Sequence, residues 1–370
     1  MMRTLHHWFG AVFAAFFFVI SVSGSWLVID RHVFVPFVTT KQSHGEVVIT
    51  HGQENAFISG ILEIYPVEKV ARIGFPVKER PVYFVELTNG TVVYFEDAKL
   101  TIAGEVTPGL VTNFMVRIHT NLLNPWGIGH EIVIWTGLIA IFLSVLGLII
   151  FIPSHRIFRK NRVLLPKELT FKDVRRTHLS SGVVFSFFIV FFGATGWMIG
   201  EPEEARQILS SSIETPLHTS QGQPFIVAQK NVPEIIEDAL TKLPNQTLTL
   251  VDFSRREQSQ AIFLYTKTAN DFALYGNSRV KIDFSEGIVR VLSLDDDETL
   301  LSATFHNAYS LHTGQGRNLL YKLMISVLGI IVAIVSLMGL LSYSLKWRVK
   351  IIRILSAQRK MKINRQEDLE

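Results

Sequence analysis

Four of the twelve histidines in this 370-residue chain recur in matching contexts in its two halves. Near the start, RTLHHWFG carries His6, and the corresponding RRTHLSSG in the second half carries His178. A second pair follows, with His119 in RIHTN and His312 in SLHTG. Because imidazole nitrogens bind metals and exchange protons near neutral pH, these four residues are the first candidates for chemistry.

The elements that must position these histidines are long apolar runs. The chain is 48% hydrophobic with a positive mean hydropathy, and a membrane-spanning helix needs about 20 apolar residues. Four runs qualify: Trp8 to Ile29, Ile132 to Ile152, Leu179 to Ile199 and Leu319 to Leu345. The sequence therefore predicts a multi-pass membrane protein. Since the start of the first run is repeated at the third, we expect an uncleaved anchor and not a signal peptide.

Glycines repeat together with the histidines. The aligned pairs are Gly10 with Gly182, Gly24 with Gly196, Gly137 with Gly329 and Gly147 with Gly339. Each half then reads as inner histidine, span, exported segment, outer His-Thr and span, and such parallel repeats imply a pseudo-twofold axis along the membrane normal. The glycines could make room for a bulky ring, or could serve only close helix packing.

The distribution of charge predicts the topology. Residues 153–177 and 346–370 are rich in Lys and Arg, whereas residues 31–129 and 200–318 hold more acids than bases. Short basic segments face the cytoplasm, so both termini are expected inside and both long segments in the periplasm of a bacterial inner membrane. The net charge of +4 is then a topology signal and indicates no nucleic-acid partner. The basic tail is expected to be a solvated helix beside anionic lipid.

The predicted fold class is an integral membrane protein, mainly α: a four-helix transmembrane bundle from two parallel repeats, with two exported α+β domains. The predicted boundaries are spans at 1–30, 130–153, 178–200 and 319–346, exported domains at 31–129 and 201–318, a basic loop at 154–177 and a basic tail at 347–370. The first domain should hold a helix at 55–64 and a hairpin turning at Asn89-Gly90. The second should hold a helix at 232–243 and strands in TLTLVDFS, QAIFLYTK, FALYG and RVKIDFSEGIVRVLSL.

Under this symmetry His6 and His178 face each other near the cytoplasmic surface, and His119 and His312 do so near the exported surface. Two opposed imidazoles suit the axial positions of haem iron. The absence of cysteine excludes c-type attachment and iron–sulfur clusters, which leaves two non-covalent b-type haems, one near each membrane face. Two alternatives stay open: each histidine could bond only a headgroup or carbonyl, or the set could bind zinc, which prefers about four ligands.

Other histidines are second-rank ligands: His7, His130, His155 and His306. His7 is turned about 100° from His6 on a helix, so only one of the two can face a given cofactor. His130 opens the second span and could replace His119, although Pro125 and Gly127 are expected to break the helix between them.

The segments RTLHHWFG…SGSWLVID and HLSSG…TG resemble the PepSY-associated transmembrane family over essentially the whole chain. The resemblance implies that the exported segments are PepSY-like domains. The family includes ferric-siderophore reductases of the bacterial inner membrane with two haems, and its motif histidines map onto His6, His119, His178 and His312. The family usually has arginine where this chain has His7, which leaves open which of the adjacent histidines binds iron.

The expected function is transmembrane electron transfer through two b-type haems, from a cytoplasmic reductase or quinol to a ferric siderophore in the periplasm. The chain has no G-x-G-x-x-G fingerprint after a strand, so the electron donor is expected to be a separate molecule. Two alternatives without redox chemistry are a membrane-tethered regulator of a periplasmic protease and an accessory subunit of a metal–chelate transporter.

Overall fold

The structure is a computed structural model. It describes residues 1–34, 53–78, 80–124, 126–151, 166–202, 204–205, 208, 232–240, 246–254, 261–267, 274–276, 278–283, 288–292, 304–305 and 307–367. The chain divides into two compact units. The membrane unit comprises Met1–Trp26, Phe114–Gly200 and Met324–Glu370. The sheet unit comprises Leu27–Asn113 and Glu201–Leu323.

Four long apolar helices are suited by length and composition to cross a membrane, which confirms the predicted number of spans. They are α1 (Met2–Ile29), α4 (Ile128–Phe151), α5 (Phe171–Gly200) and α8 (Leu319–Glu367). Helix α8 is longer than predicted. It continues without a break past residue 346, the predicted end of the span, because the Lys- and Arg-rich tail contains good helix formers and no proline.

Small residues bring the membrane helices into close contact at two crossings. At the first, a β-carbon added to Gly193 of α5 would lie 2.7 Å from the carbonyl oxygen of Gly137 on α4. At the second, Gly329 of α8 lies against Ser25 of α1, and Ser326 Oγ donates a 3.1 Å hydrogen bond to the Ser25 carbonyl. Membrane helices commonly pack in this way, so these glycines serve helix packing.

The sheet unit contains one antiparallel sheet of eight strands, in the order β4-β3-β2-β1-β5-β6-β7-β8. The strands are β1 (Val70–Gly74), β2 (Tyr83–Leu87), β3 (Val92–Phe95), β4 (Ile102–Val106), β5 (Thr247–Asp252), β6 (Ala261–Lys267), β7 (Ser278–Asp283) and β8 (Ile288–Leu292). The hairpin predicted at Asn89-Gly90 is confirmed: Gly90 has φ 86°, and the Leu87 N–H bonds the Thr91 carbonyl at 2.8 Å. The strand predicted in FALYG is wrong in its described part, since residues 274–276 form a turn.

The two long segments between the spans, residues 31–129 and 201–318, were predicted as separate exported domains, but their described strands form a single sheet. Strand β1 of the first segment pairs with β5 of the second, with Arg72 opposite Asp252 and Gly74 opposite Leu250. Arg72 contacts carboxylates on both sides of this seam, 3.2 Å from Glu86 and 3.4 Å from Asp252. Strands β1 and β5 would each be an exposed edge strand if its segment folded alone, and their pairing covers both edges.

Two helices pack on one face of this sheet. They are α2 (Gln53–Ile64) and α6 (Val232–Leu240), close to the helices predicted at 55–64 and 232–243. Phe57 and Ile61 of α2 and Ile236 of α6 are fully buried in one core that also takes residues from strands of both segments. These two segments therefore share their hydrophobic core as well as their sheet. Two further α-helices are α3 (Leu110–Asn121) and α7 (Ala308–Thr313). The described residues also include a π-helical segment, Asp30–Phe34, and a 3-10 helix, Val67–Lys69.

The packing of β1 against β2 depends on a glycine. A β-carbon added at Gly74 would enter the ring of Phe84 on the neighbouring strand. We expect Gly74→Ala to lower the free energy of unfolding by about 1–3 kcal/mol, the usual cost of overpacking a core. Thermal unfolding of the full chain in detergent measures this. Gly109→Ala is the matched control, because nothing lies within 4 Å of its added methyl group; equal melting temperatures for the two variants would contradict the close packing of Gly74 against Phe84.

Candidate functional site: histidines seated on glycines

Three of the four repeated histidines lie against a glycine on another helix. A β-carbon added at Gly24 of α1 would lie 2.6 Å from Cε1 of His119, which belongs to α3. The corresponding distance is 3.0 Å from Gly339 of α8 to Cε1 of His178 on α5. It is 3.4 Å from Gly147 of α4 to Cε1 of His6 on α1. In each case the missing side chain leaves space for an imidazole ring, and we call this arrangement a glycine seat.

The backbone one turn before the glycine completes two of these seats. His119 Nδ1 lies 2.9 Å from the carbonyl oxygen of Ile20, four residues before Gly24. His178 Nδ1 lies 3.0 Å from the carbonyl oxygen of Val335, four residues before Gly339. A carbonyl only accepts hydrogen bonds, so Nδ1 must carry the proton in both rings. The neutral tautomer then leaves the lone pair on Nε2, which is the form in which histidine binds metals.

His119 is outside the spanning helices, and burial lowers its pKa below the ordinary value for histidine. Removing a charged imidazolium from water is costly, so the neutral ring is favoured at pH 7. Ser23 Oγ lies 3.4 Å from the same Nδ1 and itself bonds the carbonyls of Val19 and Ile20. The surroundings of His119 therefore favour an uncharged ring with a fixed orientation.

His6 and His178 are brought together, as the repeat predicts. The centres of their rings are 6.2 Å apart and the ring planes are inclined by 52°. The His6 seat is less tightly closed than the other two. His6 Nδ1 is buried, and among the described residues it has no hydrogen-bond partner.

Open space adjoins this pair. Gly10 and Gly182 lie one helical turn after His6 and His178, on the same faces of their helices. A β-carbon at either glycine would meet nothing within 4 Å. Among the described residues, nothing therefore lies close to either glycine on the side where a side chain would project.

The second-rank histidines are placed differently. His7 is exposed, with its Nδ1 3.5 Å from Lys346 Nζ, so it does not share the position of His6. His130 lies in the first turn of α4, with its Cε1 3.8 Å from a β-carbon added at Gly200. The predicted helix break between His119 and His130 is confirmed, since α3 ends at Asn121 and α4 begins at Ile128. His155 and His306 lie outside the described residues.

His312 lies in the short helix α7, which ends at Gly314 in the left-handed conformation with φ 75°. It belongs to the sheet unit, whereas His119 belongs to the membrane unit. The opposition of His119 and His312 stays a prediction from the repeat. Among the described residues, no group of three or more His, Asp or Glu side chains is placed to hold a metal ion.

The glycines of the seats were not predicted as histidine partners, and the alternative in which a histidine bonds a carbonyl named no particular residue; the structure shows such bonds to Ile20 and Val335. The sequence contained a usable signal, because Gly147 and Gly339 align in the repeat and receive His6 and His178, which also align. Contacts between two different helices are not encoded in the local pattern of either helix, however. The repeat therefore identifies the glycines but does not show which histidine each of them contacts.

The fold and the site define a multi-pass membrane protein with an antiparallel extramembrane sheet. A comparison with protein families matches residues 3–346 to the PepSY-associated TM region. The chain belongs to this family, as its motifs indicated. No match was found among curated proteins.

Proposed function

We propose that this chain is a haem-b-dependent oxidoreductase that carries electrons across the bacterial inner membrane and reduces ferric siderophore iron in the periplasm. The observation that supports it most is the facing pair His6 and His178, with the Nδ1 of His178 held by a backbone carbonyl. Such a pair would supply two nitrogen ligands to one metal centre.

The residues present fit a bis-histidine haem. A metal–imidazole bond is about 2 Å long and a ring nitrogen lies roughly 1 Å from the ring centre, so two axial imidazoles have centres about 6 Å apart. The separation of 6.2 Å between the His6 and His178 rings agrees with this value. At Gly10 and Gly182, one helical turn from the two histidines, an added β-carbon would meet nothing within 4 Å, so neither position would obstruct a flat macrocycle.

The proposed roles of the side chains follow from their contacts. His6 and His178 would hold the inner group, and by the sequence repeat His119 and His312 would hold the outer one. A bound haem would supply one-electron exchange between Fe(III) and Fe(II). With two histidine ligands for each group, electron transfer would be favoured over oxygen chemistry. The carbonyls of Ile20 and Val335 fix the tautomers of His119 and His178 and raise the basicity of the Nε2 atom of each ring.

Two such groups are needed because a span of about 20 residues rises roughly 30 Å. The proposed orientation has both termini in the cytoplasm and the sheet unit in the periplasm. The donor is a cytoplasmic reductase or a quinol. The acceptor is ferric iron in a chelator that binds Fe(III) far more tightly than Fe(II), so the transfer of one electron releases the metal.

The test is re-oxidation of the reduced protein. Protein in nanodiscs is reduced with dithionite, freed of excess reductant and mixed anaerobically with a ferric hydroxamate siderophore and an Fe(II)-specific chromogenic chelator. We expect the reduced haem bands to decay while the Fe(II) complex forms in equal electron equivalents. Re-oxidation by ferricyanide without re-oxidation by the siderophore would overturn the acceptor but keep the electron transfer. Even in that case, a role as a protease regulator or as a transporter subunit would not explain why His6 and His178 lie together.

The neighbouring histidines should behave differently. We expect His6→Ala to lose roughly one of two haems, because His6 faces His178 and an unligated axial position weakens retention. His7→Ala should keep both, since its ring is exposed beside Lys346. A pyridine-haemochrome assay per mole of purified protein measures the difference. If His6→Ala kept both haems and His7→Ala lost one, His7 and not His6 would be the ligand.

A further inference from the structure

Helix α3, which carries His119, has an exposed apolar arc. Leu110 is 90% exposed, Val111 is 53% exposed and Phe114 is 47% exposed. At 3.6 residues per turn these three side chains fall within about 100° of one another. An isolated exposed leucine needs no explanation, but a continuous arc of large apolar side chains on one helix does.

The rest of the helix surface is divided between two other faces. His119 points to Gly24 on the side away from the apolar arc. Between these two faces runs a polar arc of exposed residues, comprising Asn113, Arg117 and Thr120. The helix thus has a protein-facing side, an apolar side and a polar side, which is the pattern of a helix lying at a membrane–water boundary.

A tight corner connects α3 to the span α4. Leu123, in the left-handed conformation with φ 63°, donates its N–H to the Arg117 carbonyl at 3.0 Å. The Trp126 N–H donates to Asn124 Oδ1 at 2.8 Å. Gly129 lies against the backbone of Asn121, where any side chain would collide. These contacts therefore fix the end of α3 against the beginning of α4.

The corner is itself strongly apolar and exposed. Trp126 is 83% exposed and Ile128 is 62% exposed, and Ile128 is the first residue of the span. A tryptophan at this position is typical of the headgroup region, where its ring is partly in hydrocarbon and its N–H is hydrated. The exposed surface of α3 is thus continuous with a surface that lipid must cover.

We propose that α3 and the corner after it form an interfacial lipid-binding element, with Leu110, Phe114 and Trp126 inserted at the headgroup–acyl boundary. Arg117, beside the apolar arc, reaches the lipid phosphates, and Asn113 and Thr120 face water. Lipid is the occupant because the arc adjoins the span through a rigid corner. The bilayer then sets the depth of α3, and through the contact with Gly24 it sets the depth of His119. The proposal concerns lipid contact and is independent of any haem.

The chain has no cysteine, so single cysteines can be introduced and spin-labelled without further changes. The test sites are Phe114→Cys and Trp126→Cys, and the matched controls on the polar arc of the same helix are Asn113→Cys and Thr120→Cys. Phe187→Cys is the lipid reference, because Phe187 is 70% exposed within the span α5. Each label is measured by electron paramagnetic resonance in nanodiscs of phosphatidylcholine and phosphatidylglycerol, with oxygen and a water-soluble nickel chelate as relaxation agents.

We expect the labels at 114 and 126 to be more accessible to oxygen than to nickel, as at 187, and the labels at 113 and 120 to show the reverse. Nickel accessibility at 114 and 126 equal to that of the controls would place the arc in water and overturn the proposal. Low accessibility to both agents, with dipolar broadening that disappears on dilution with unlabelled protein, would show that a second copy covers the arc and would also overturn it. Gel filtration and circular dichroism establish that each labelled variant is folded.

Discussion

Protein with His178→Ala should retain roughly one of two haems, with the reduced α-band per mole of protein falling by about half. His178 faces His6 across 6.2 Å and takes its orientation from the Val335 carbonyl, so its removal leaves the inner pair with a single ligand. The pyridine-haemochrome count reports the loss directly and requires no knowledge of the substrate.

Loss of folding would also lower the haem content, and a second variant separates the two causes. His178→Met keeps an axial ligand of similar reach. It should retain both haems while raising the potential of one of them, since thioether ligation favours the reduced iron. A redox titration that finds both potentials unchanged in His178→Met, or two full haems in a folded His178→Ala protein, would remove His178 from the ligand set.

The three glycine seats should respond to a single added methyl group in the order of their distances. The added β-carbon would lie 2.6 Å from His119 in Gly24→Ala, 3.0 Å from His178 in Gly339→Ala and 3.4 Å from His6 in Gly147→Ala. The first distance forces the ring to move, the second requires a small displacement, and the third is an ordinary contact. We expect Gly24→Ala to weaken haem binding at its site by about 10–100-fold, as loss of a group that orients a ligand commonly does.

Gly147→Ala is the internal control, because it makes the same chemical change at a seat with room for it. Haem affinity is measured by titrating haem into the apoprotein and following the Soret band, with Gly339→Ala expected between the other two. An equal loss in all three variants would indicate general disruption of helix packing. No loss in Gly24→Ala would contradict the role of the seat in orienting His119.

The sequence was sufficient to predict the spans, the hairpin and the pairing of His6 with His178. A long apolar run can cross a bilayer only as a helix that satisfies its own backbone hydrogen bonds. The Asn89-Gly90 pair specifies its turn locally. The pairing of β1 with β5, which joins residues 31–129 to residues 201–318, could not be predicted. Strand β1 is the five-residue VARIG, with Arg72 and Gly74 in it, so its apolar pattern is too weak to identify a strand. Without β1, the edge that joins the two segments was missing, and one sheet was predicted as two domains.

The seats show the same limitation in the membrane unit. Gly24, Gly147 and Gly339 were identified by repetition, which is visible in the sequence. The carbonyls of Ile20 and Val335 carry no side-chain identity, and their roles depend on how neighbouring helices meet. Gly137 and Gly193, by contrast, are in direct helix–helix contact. The two explanations considered for the glycines, room for a ring and close packing, therefore both apply, but at different positions.

The central claim is that the facing histidines hold haem, and the most direct measurement is the optical spectrum of the detergent-purified protein from haem-replete cells, before and after dithionite. The account predicts a b-type reduced spectrum with about two haems per chain, as bis-histidine ligation of two groups requires. A folded protein that is colourless in both states would contradict it, and the facing rings of His6 and His178 would then require another explanation.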